Sequence, residues 1–445
     1  MNEKFEMNVR TKPQESAHPK GTTPISAPSF AQSLAELGLQ ALALDGLYRQ
    51  RRVAQSPTAS NQQFDQQHYT TFCSNDYLGL ASDPLITQAL IEGAERWGVG
   101  SGASHLISGH TQAHQDLEER LAAWQSEHIV DAQALLFSSG YAANVSLMCA
   151  LAELGRLQPS KVGPHDSADS SGVTSIYSAR LNHASIIDGI RLARQSHPLR
   201  LHVFDTNNLQ SLEQYLQEDT SGLKIIVSDA VFSMDGHLAP VHALLALAER
   251  HDALLVLDDA HGFGVLGGTG HGVLEHLGVR SNRVVYLGTL GKAAGVSGAF
   301  VCASASLCQW FFQKSRPYIY STASPAALAH ATLQSLTLIE GDEGQNRRAH
   351  LFHLIAHWQA RAQFHHWQLT PSSTPIQPLI VGSNEAALNA SSRLKALGYL
   401  VAAIRPPTVE TGRARLRIAF CAQHSLADVD RLIAALQSAE SGSKP

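Results

Sequence analysis

The chain has 445 residues and 47.9 kDa, more than one small core holds and the size of two or three packed domains. Lysine plus arginine number 33 against 38 aspartates and glutamates, and the resulting charge of −5 offers nothing to attract nucleic acid or an anionic membrane. Hydrophobic residues at 44% and charged ones at 16% exclude a disordered chain, and cysteines 73, 149, 302, 308 and 421, with no CxxC pair, argue against a disulfide framework or a structural zinc.

The opening MNEKFEMNVRTKPQESAHPKG has no apolar core of the kind a secretory signal needs, and no stretch approaches the ~18 apolar residues of a membrane span. A soluble, cytoplasmic protein is therefore expected. Residues 1–30 are polar and rich in Pro, Ser, Thr and Lys, which reads as a disordered extension. Leu34, Leu37, Leu42 and Leu47 then recur at helical spacing, predicting an amphipathic helix over 33–52. A polar linker leads to TTFCSNDYLGL, a short strand running into a turn. Asp83-Pro84 starts a helix with a cap and a proline at the first position, with Leu85, Ile86, Ala89, Leu90 and Trp97 on one face and Gly98 as the stop. The Gly/Ser cluster GVGSGASHLISG (98–109) interrupts regular structure, and Leu117, Leu121 and Trp124 mark the next helix.

From about Ala134 strand and helix alternate. ALLF (134–137) is a strand, SSGY a turn and AANVSLMCALAEL a helix. LKIIVSD (223–229), a helix from Val241 to His251 and ALLVLDD (253–259) make a βαβ unit, with further strands at RVVYLG (283–288) and GAFVCA (298–303). Such alternation implies an α/β fold with a mostly parallel sheet covered by helices. PSKVGPHDSADSSGVTS (159–175) reads as a surface loop. Helical segments around IQPLIVG (376–382) and ARLRIAF (414–420) fit a smaller C-terminal α/β domain.

Several motifs carry chemistry. GTLGK (288–292) sets Lys292 just past a strand among small residues, which leave room beside an amine; its spacing rules out a Walker A loop. LLVLDDAHGFGVLG (254–267) puts Asp258 at the C-terminal end of a buried strand, where open α/β sheets bind ligands, with His261 three residues on. An unpaired carboxylate there is costly without a cation. The same stretch has the Rossmann spacing Gly262-x-Gly264-x-x-Gly267, but no long apolar helix follows it. SSGYAAN (138–144) is a strand-to-helix turn whose free amides suit a phosphate. LNHASIIDG (181–189) and VFSMDG (231–236) are polar turns after apolar runs. Metal ligation by His183 and His261 needs a third ligand, and no HExxH-type spacing supplies one.

Together these residues match what pyridoxal phosphate requires: a lysine for its aldehyde, a carboxylate for its ring nitrogen, amides and hydroxyls for its phosphate and a flat group against its ring. Lys292, Asp258, Gly140 with Thr289, and His183 occur in the order expected of one large α/β domain. A nicotinamide dehydrogenase built on the three glycines, and a non-catalytic partner subunit of the same fold, are the other classes; the second has no use for Lys292 and Asp258.

CSNDYLGL, SSGYAAN, LNHASIIDG, VFSMDG, DDAHGFGVLG and GTLGK, taken in order, resemble the α-oxoamine synthases, pyridoxal-phosphate enzymes of the aspartate aminotransferase fold (type I). The resemblance runs from about Leu37 to about Leu436. It implies a large cofactor domain over 75–324, preceded by a helix-and-linker segment over 31–74, and a small domain over 325–445. It implies Lys292 as the Schiff-base lysine, Asp258 as partner of the pyridine nitrogen, His261 as ligand of the phenolic oxygen and His183 as the ring-stacking imidazole. Gly140, Tyr141, Ser233 and Thr289 match cofactor contacts; Asn75, Arg49, Arg405 and Thr408, with His183, match substrate contacts, and Arg51 and Arg52 are rivals of Arg49. AIRPPTV (403–409) with TPIQPLIVG (374–382) is most similar to the branch that joins L-alanine to pimeloyl-CoA or pimeloyl-acyl carrier protein in biotin synthesis; a branch using glycine and an acetyl thioester is the alternative. A homodimer is implied, because SRPYIYSTASP (315–325), with Ser321 and Thr322, resembles the segment that reaches the neighbour's phosphate. This chain departs from the family's pattern in GSGAS (100–104) where GSGGS is usual, in His105 after it, in the 159–175 loop and in the N-terminal extension.

Overall fold

The computed structural model describes residues 29–157, 173–220 and 222–442, so most of the predicted 1–30 extension and of the 159–175 loop lies outside the described residues, while Ser29 and Phe30, expected to be disordered, cap and begin a helix. Two compact units result, Met1–Arg51 and Arg52–Pro445. The first carries α1 (Phe30–Leu44), which begins and ends earlier than the leucine spacing predicts, leaving Leu47 outside it. Ser29 and Gln32 cap it reciprocally, and none of its residues is buried.

The second unit opens with a hairpin hidden in the segment read as linker. β1 (Asn61–Phe64) and β2 (Gln67–Thr71) are antiparallel, joined by Asp65 and Gln66 at φ of 51° and 63°, the left-handed pair that a two-residue turn needs. α2 (Pro84–Trp97) is capped by the Asp83 side chain on the Leu85 amide and stopped at Gly98. Its buried face is Ile86, Ala89 and Gly93, while the predicted Leu85 and Leu90 point outward. α3 (Gln112–Gln125) buries Leu117, Leu121 and Trp124 as its spacing indicates.

The main sheet is assembled next, from β3 (Ala132–Phe137), β4 (Thr174–Ala179), β5 (Leu199–Phe204), β6 (Leu223–Asp229), β7 (Ala253–Asp258), β8 (Val284–Thr289) and β9 (Ala299–Ser304). Thr174 and Ser175 are buried in β4, so the predicted loop ends sooner than 175. The helices between these strands are α4 (Gly140–Leu154), α5 (Ala184–Ser196), α6 (Gln210–Glu218), α7 (Val241–Arg250) and the one-turn α8 (Val273–Leu277). α5 starts inside LNHASIIDG, so that motif is a helix start and not a bare turn.

Spatial order is β3-β9-β8-β7-β6-β4-β5, parallel except for β9, which runs against both β3 and β8. Period-two alternation splits the strands between two cores. Ile225, Val227, Val256 and Val285 face α4 and α5 on one side. Ile226, Leu255, Leu257 and Tyr286 face the other. A sheet covered on both faces leaves only its edges for polar chemistry. The C-terminal ends of β3, β4, β6, β7 and β8 all lie along one edge, because two reversals at β9 restore the direction of β3.

The chain continues through α9 (Ala305–Lys314), α10 (Arg316–Tyr320), α11 (Ala326–Glu340) and α12 (Asp342–Arg361). A second sheet follows, formed by β10 (Gln368–Leu369) and β11 (Ile376–Gly382). Beyond α13 (Asn384–Ala396), β12 (Tyr399–Leu400) pairs parallel with β2, and β13 (Ala402–Ile404) and β14 (Ala414–Ala419) complete an antiparallel order β10-β11-β14-β13 before α14 (Leu426–Ser441). Among the described residues no helix is long and apolar enough to cross a membrane.

Candidate active site

A cavity of about 170 Å³ opens at that sheet edge, lined by Gly140, Tyr141, Asn144, His183, Ser185, Asp229, Asp258, Ala260, His261, Thr289 and Lys292. They come from the ends of five strands, β3, β4, β6, β7 and β8. Gly140 and Tyr141 open α4 after β3, where the first amides have no intrahelical acceptor and the helix dipole is positive. His183 caps α5 after β4. Asp229 and Asp258 end β6 and β7 in the same register, with His261 in the following turn. Thr289 ends β8, and its hydroxyl donates to the Gly298 carbonyl at 3.1 Å.

Asp258 is met by two donors, Asn144 Nδ2 at 2.6 Å on Oδ2 and the Ala260 amide at 3.0 Å on Oδ1. Asp229 is buried beside it. Burial first, then the charge of Asp258, holds the Asp229 carboxyl well above the usual range. Lys292 Nζ stands 2.9 Å from His261 Nε2, and the Tyr77 hydroxyl stands 2.6 Å from His261 Nδ1. Burial brings the Lys292 amine down to about 8, with Asp258 and Asp229 opposing. Burial, reinforced by the charges of Lys292 and Arg417, keeps His261 well below the ordinary histidine range. His183 is lowered too, by burial above all. The site thus pairs a readily deprotonated amine with neutral imidazoles and one well-donated carboxylate.

The donor set fits pyridoxal phosphate. Asn144 Oδ1 is buried without a partner, and a methyl placed on Gly140 would meet nothing nearer than Leu287 Cδ2 at 4.0 Å, so this glycine fronts open space. Seven of the residues singled out in the sequence line the cavity: Gly140, Tyr141, His183, Asp258, His261, Thr289 and Lys292. The others do not. Asn75 is linked to the lining residue His261 through Tyr77, its Oδ1 accepting from the Tyr77 hydroxyl at 3.2 Å. Ser233 is buried next to the site with its carbonyl accepting from Arg417 Nε at 2.6 Å. Arg405 and Thr408 share a turn after β13, closed by a backbone hydrogen bond of 3.1 Å, and neither borders the cavity. Arg49 is exposed in the first unit.

Five residues escaped the sequence reading. Asn144 and Ser185 sit inside quoted motifs but look like ordinary small polar residues. Asp229 was detectable as a carboxylate ending a strand of the same βαβ unit as Asp258. Tyr77 lies within CSNDYLGL. Arg417 is only 6% exposed in the middle of β14, where it and Arg415 are two buried charges alternating with apolar residues, and that pattern was its signal. The glycines of the Rossmann spacing have another purpose. Gly267, at φ 89°, would place a Cβ 2.0 Å from Glu275 Oε2, and Glu275 holds the Thr269 and His271 amides of the same loop. Only the one-turn α8 follows them.

The family model for aminotransferase class I and II matches residues 67–436. The chain is 48% identical over 409 residues to the 8-amino-7-oxononanoate synthase of Janthinobacterium sp. (strain Marseille), which covers 92% of this chain and 97% of that one. It is 51% identical over 401 residues to the 8-amino-7-oxononanoate synthase of Bordetella petrii, over 90% and 96% of the two chains. In fold it is similar to the serine palmitoyltransferase of Sphingomonas wittichii, with a TM-score of 0.77 at 24% identity over 93% of this chain and 98% of that one. Identity near one half along almost the whole of both chains agrees with the motif order read from the sequence: the chain belongs to the class I and II aminotransferase family and, within it, to the α-oxoamine synthases.

Proposed function

We infer that this chain is a pyridoxal-phosphate-dependent acyltransferase that joins L-alanine to a pimeloyl thioester, releasing CO2 and the free thiol and yielding 8-amino-7-oxononanoate for biotin synthesis. The observation that carries the reading is the single cavity holding Lys292, Asp258, His261 and His183 in a chain so similar to synthases of that name. Bound there, the cofactor supplies an electron sink for the α-carbon of the amino acid.

The residues divide the remaining work. Lys292 would hold the aldehyde carbon, Asp258 the ring nitrogen and His261 the phenolic oxygen. The Gly140 and Tyr141 amides and the Thr289 hydroxyl would hold the phosphate, with the α4 dipole favouring its charge. Lys292 Nζ takes the α-proton of alanine and later returns one, which requires the free amine; a value of about 8 makes that form accessible near neutrality. Asp258, anchored by Asn144 and Ala260, would keep a proton on the cofactor's ring nitrogen. His183 donates to the carbonyl oxygen of the thioester as negative charge develops there. The resemblance assigns Arg405, with its planar fork, to the alanine carboxylate and Asn75 and Thr408 to further substrate contacts, though none of the three lines the cavity itself.

This reading goes with a cytoplasmic homodimer built from a large domain over 75–324 and a small one over 325–445. The two larger sheets, each confined to one of these spans, support the division. Exposure of Ser321 and Thr322 beside Tyr320, which is 71% exposed, supports a surface that meets a second copy. The deciding experiment is thiol release by the cofactor-loaded protein with alanine, glycine and serine against acyl-CoA chains of several lengths. Preference for alanine with pimeloyl-CoA is expected. Preference for glycine with acetyl-CoA would reject the substrate assignment and leave the fold and cofactor unchanged.

A further inference from the structure

His183 caps its own helix, and this decides which of its nitrogens can carry a proton. The Ser185 amide, which can only donate, lies 3.3 Å from His183 Nδ1, and the Ser185 hydroxyl lies 2.7 Å from the same atom. A nitrogen that accepts from a backbone N–H holds its lone pair there and bears no hydrogen. The hydroxyl is itself spoken for, since Asn144 Nδ2 donates to Ser185 Oγ at 2.9 Å. Because Nδ1 already accepts from the Ser185 amide, the 2.7 Å contact requires the hydroxyl to turn its hydrogen to His183. The other hydrogen of Asn144 Nδ2 goes to Asp258 Oδ2 at 2.6 Å. That contact also fixes which way the amide faces, because the flipped group would press its carbonyl oxygen against a carboxylate.

We propose that Asn144, donating one amide hydrogen to Asp258 and the other to Ser185, and Ser185, donating onward to His183, together hold the neutral imidazole with its proton on Nε2. Ser185 and Asn144 are 0% and 1% exposed, so water does not compete for these contacts. Nδ1 is committed to the cap, and Nε2 is the ring's sole donor toward a ligand in the cavity. The same carboxylate that would face the cofactor nitrogen therefore also sets the polarity of the group assigned to the thioester carbonyl. Neither Ser185 nor Asn144 touches a reacting atom in this account; both are positioning residues. The catalytic consequence rests on the function inferred above, whereas the tautomer itself does not.

The test uses the full chain labelled with ¹⁵N-histidine, with and without pyridoxal phosphate, and reads ring nitrogens in long-range ¹H–¹⁵N spectra. His183 is identified by the signal lost in His183→Gln. Wild type should show Nε2–H and an unprotonated Nδ1 in both forms. Ser185→Ala leaves only the longer 3.3 Å amide contact on Nδ1 and should raise the share of the Nδ1–H form, and Ser185→Thr, which keeps the hydroxyl, should restore the wild-type pattern. In turnover, Ser185→Ala should lower kcat for thiol release about tenfold while the KM for alanine stays within about twofold, and Thr should recover most of the loss. Asn144→Ala provides a second break in the chain should Ser185→Ala not fold. A protonated Nδ1 in wild type, or no change of tautomer in a folded Ser185→Ala, overturns the proposal. A wild-type enzyme inactive with alanine and pimeloyl-CoA would instead reject the function and leave the tautomer result standing.

Discussion

Replacing Lys292 by methionine keeps the reach of the side chain and removes its charge. The variant should lose thiol release and, freed of cofactor, should be more stable than wild type at neutral pH. The amine falls from an ordinary 10.5 to about 8, chiefly through burial. At about 1.4 kcal/mol per pH unit, the charged form costs the folded state about 3 kcal/mol. Losing the contact with His261 gives back about 1 kcal/mol, so a net gain of about 2 kcal/mol is expected. The folded chain binds this proton more weakly than the unfolded chain does. The penalty is therefore complete below pH of about 8 and fades as pH rises toward 10.5, where both states are neutral. Urea midpoints of both cofactor-free proteins, taken from about pH 7 to about pH 10, read this directly. A variant no more stable than wild type at neutral pH, or an advantage that stays constant through the alkaline range, would refute the reasoning.

Asp258→Asn should cut kcat by roughly a hundredfold or more, because an amide cannot keep the facing nitrogen protonated; a kcat within a few fold of wild type would remove Asp258 from that role. Arg405→Lys keeps the charge but loses the two-point grip, so the KM for alanine should rise about tenfold or more with the thioester KM little changed. Steady-state kinetics with each substrate varied in turn decides this, and an unmoved alanine KM sinks it. Glu118, on the buried face of α3 with Oε1 accepting from the Leu136 amide at 2.9 Å, is pushed up by burial to about 8. Its proton is held more tightly in the folded chain, so wild type should lose stability as pH climbs from about 4.5 to about 8. Glu118→Gln, which keeps an acceptor, should flatten that slope in denaturation midpoints, and an identical slope would exclude Glu118 as its source.

What the sequence disclosed follows from what each signal depends on. The parallel sheet was legible because strands buried on both faces read as apolar runs, as in IIV of β6 and LLVL of β7. Asp258, His261 and Lys292 were legible because they end such runs. β1 and β2 were hidden because NQQF and QHYTT are polar, and only the backbone of Asp65 and Gln66 reveals the turn between them. The α5 start was misread as a turn because its cap is a histidine, which seldom serves there. The outward face of α2 was misassigned because its buried face includes Gly93, whose absent side chain admits the backbone of Ala327 to within 3.0 Å of where a Cβ would stand. No count of apolar residues shows that. Asn144, Ser185 and Tyr77 matter through partners distant in sequence, and a linear reading assigns such partners only where a motif supplies them.

The register of β6 and β7 adds a constraint on charge. Asp229 and Asp258 stand side by side at the sheet edge, 3% and 6% exposed, and two adjacent anions so buried would repel each other strongly. The structure resolves this by supplying them unequally. Asp258 receives the Asn144 and Ala260 donors, whereas Asp229 has Oδ1 on the His183 amide and a carboxyl raised well above its ordinary range by burial and by its neighbour. Asp229, its carboxyl raised well above the ordinary range by burial and by Asp258, thus anchors the start of α5 through the His183 amide, and Asp258 is the better donated of the pair. One carboxylate is what a single protonated ring nitrogen can balance; a second would trap Lys292 as ammonium and withhold the free amine. Charging Asp229 would therefore raise the Lys292 value, and Asp229→Asn, which keeps an acceptor for the His183 amide, should leave turnover near wild type at neutral pH. A loss with Asp229→Asn comparable to that with Asp258→Asn would show instead that both carboxylates act as anions and would contradict this division.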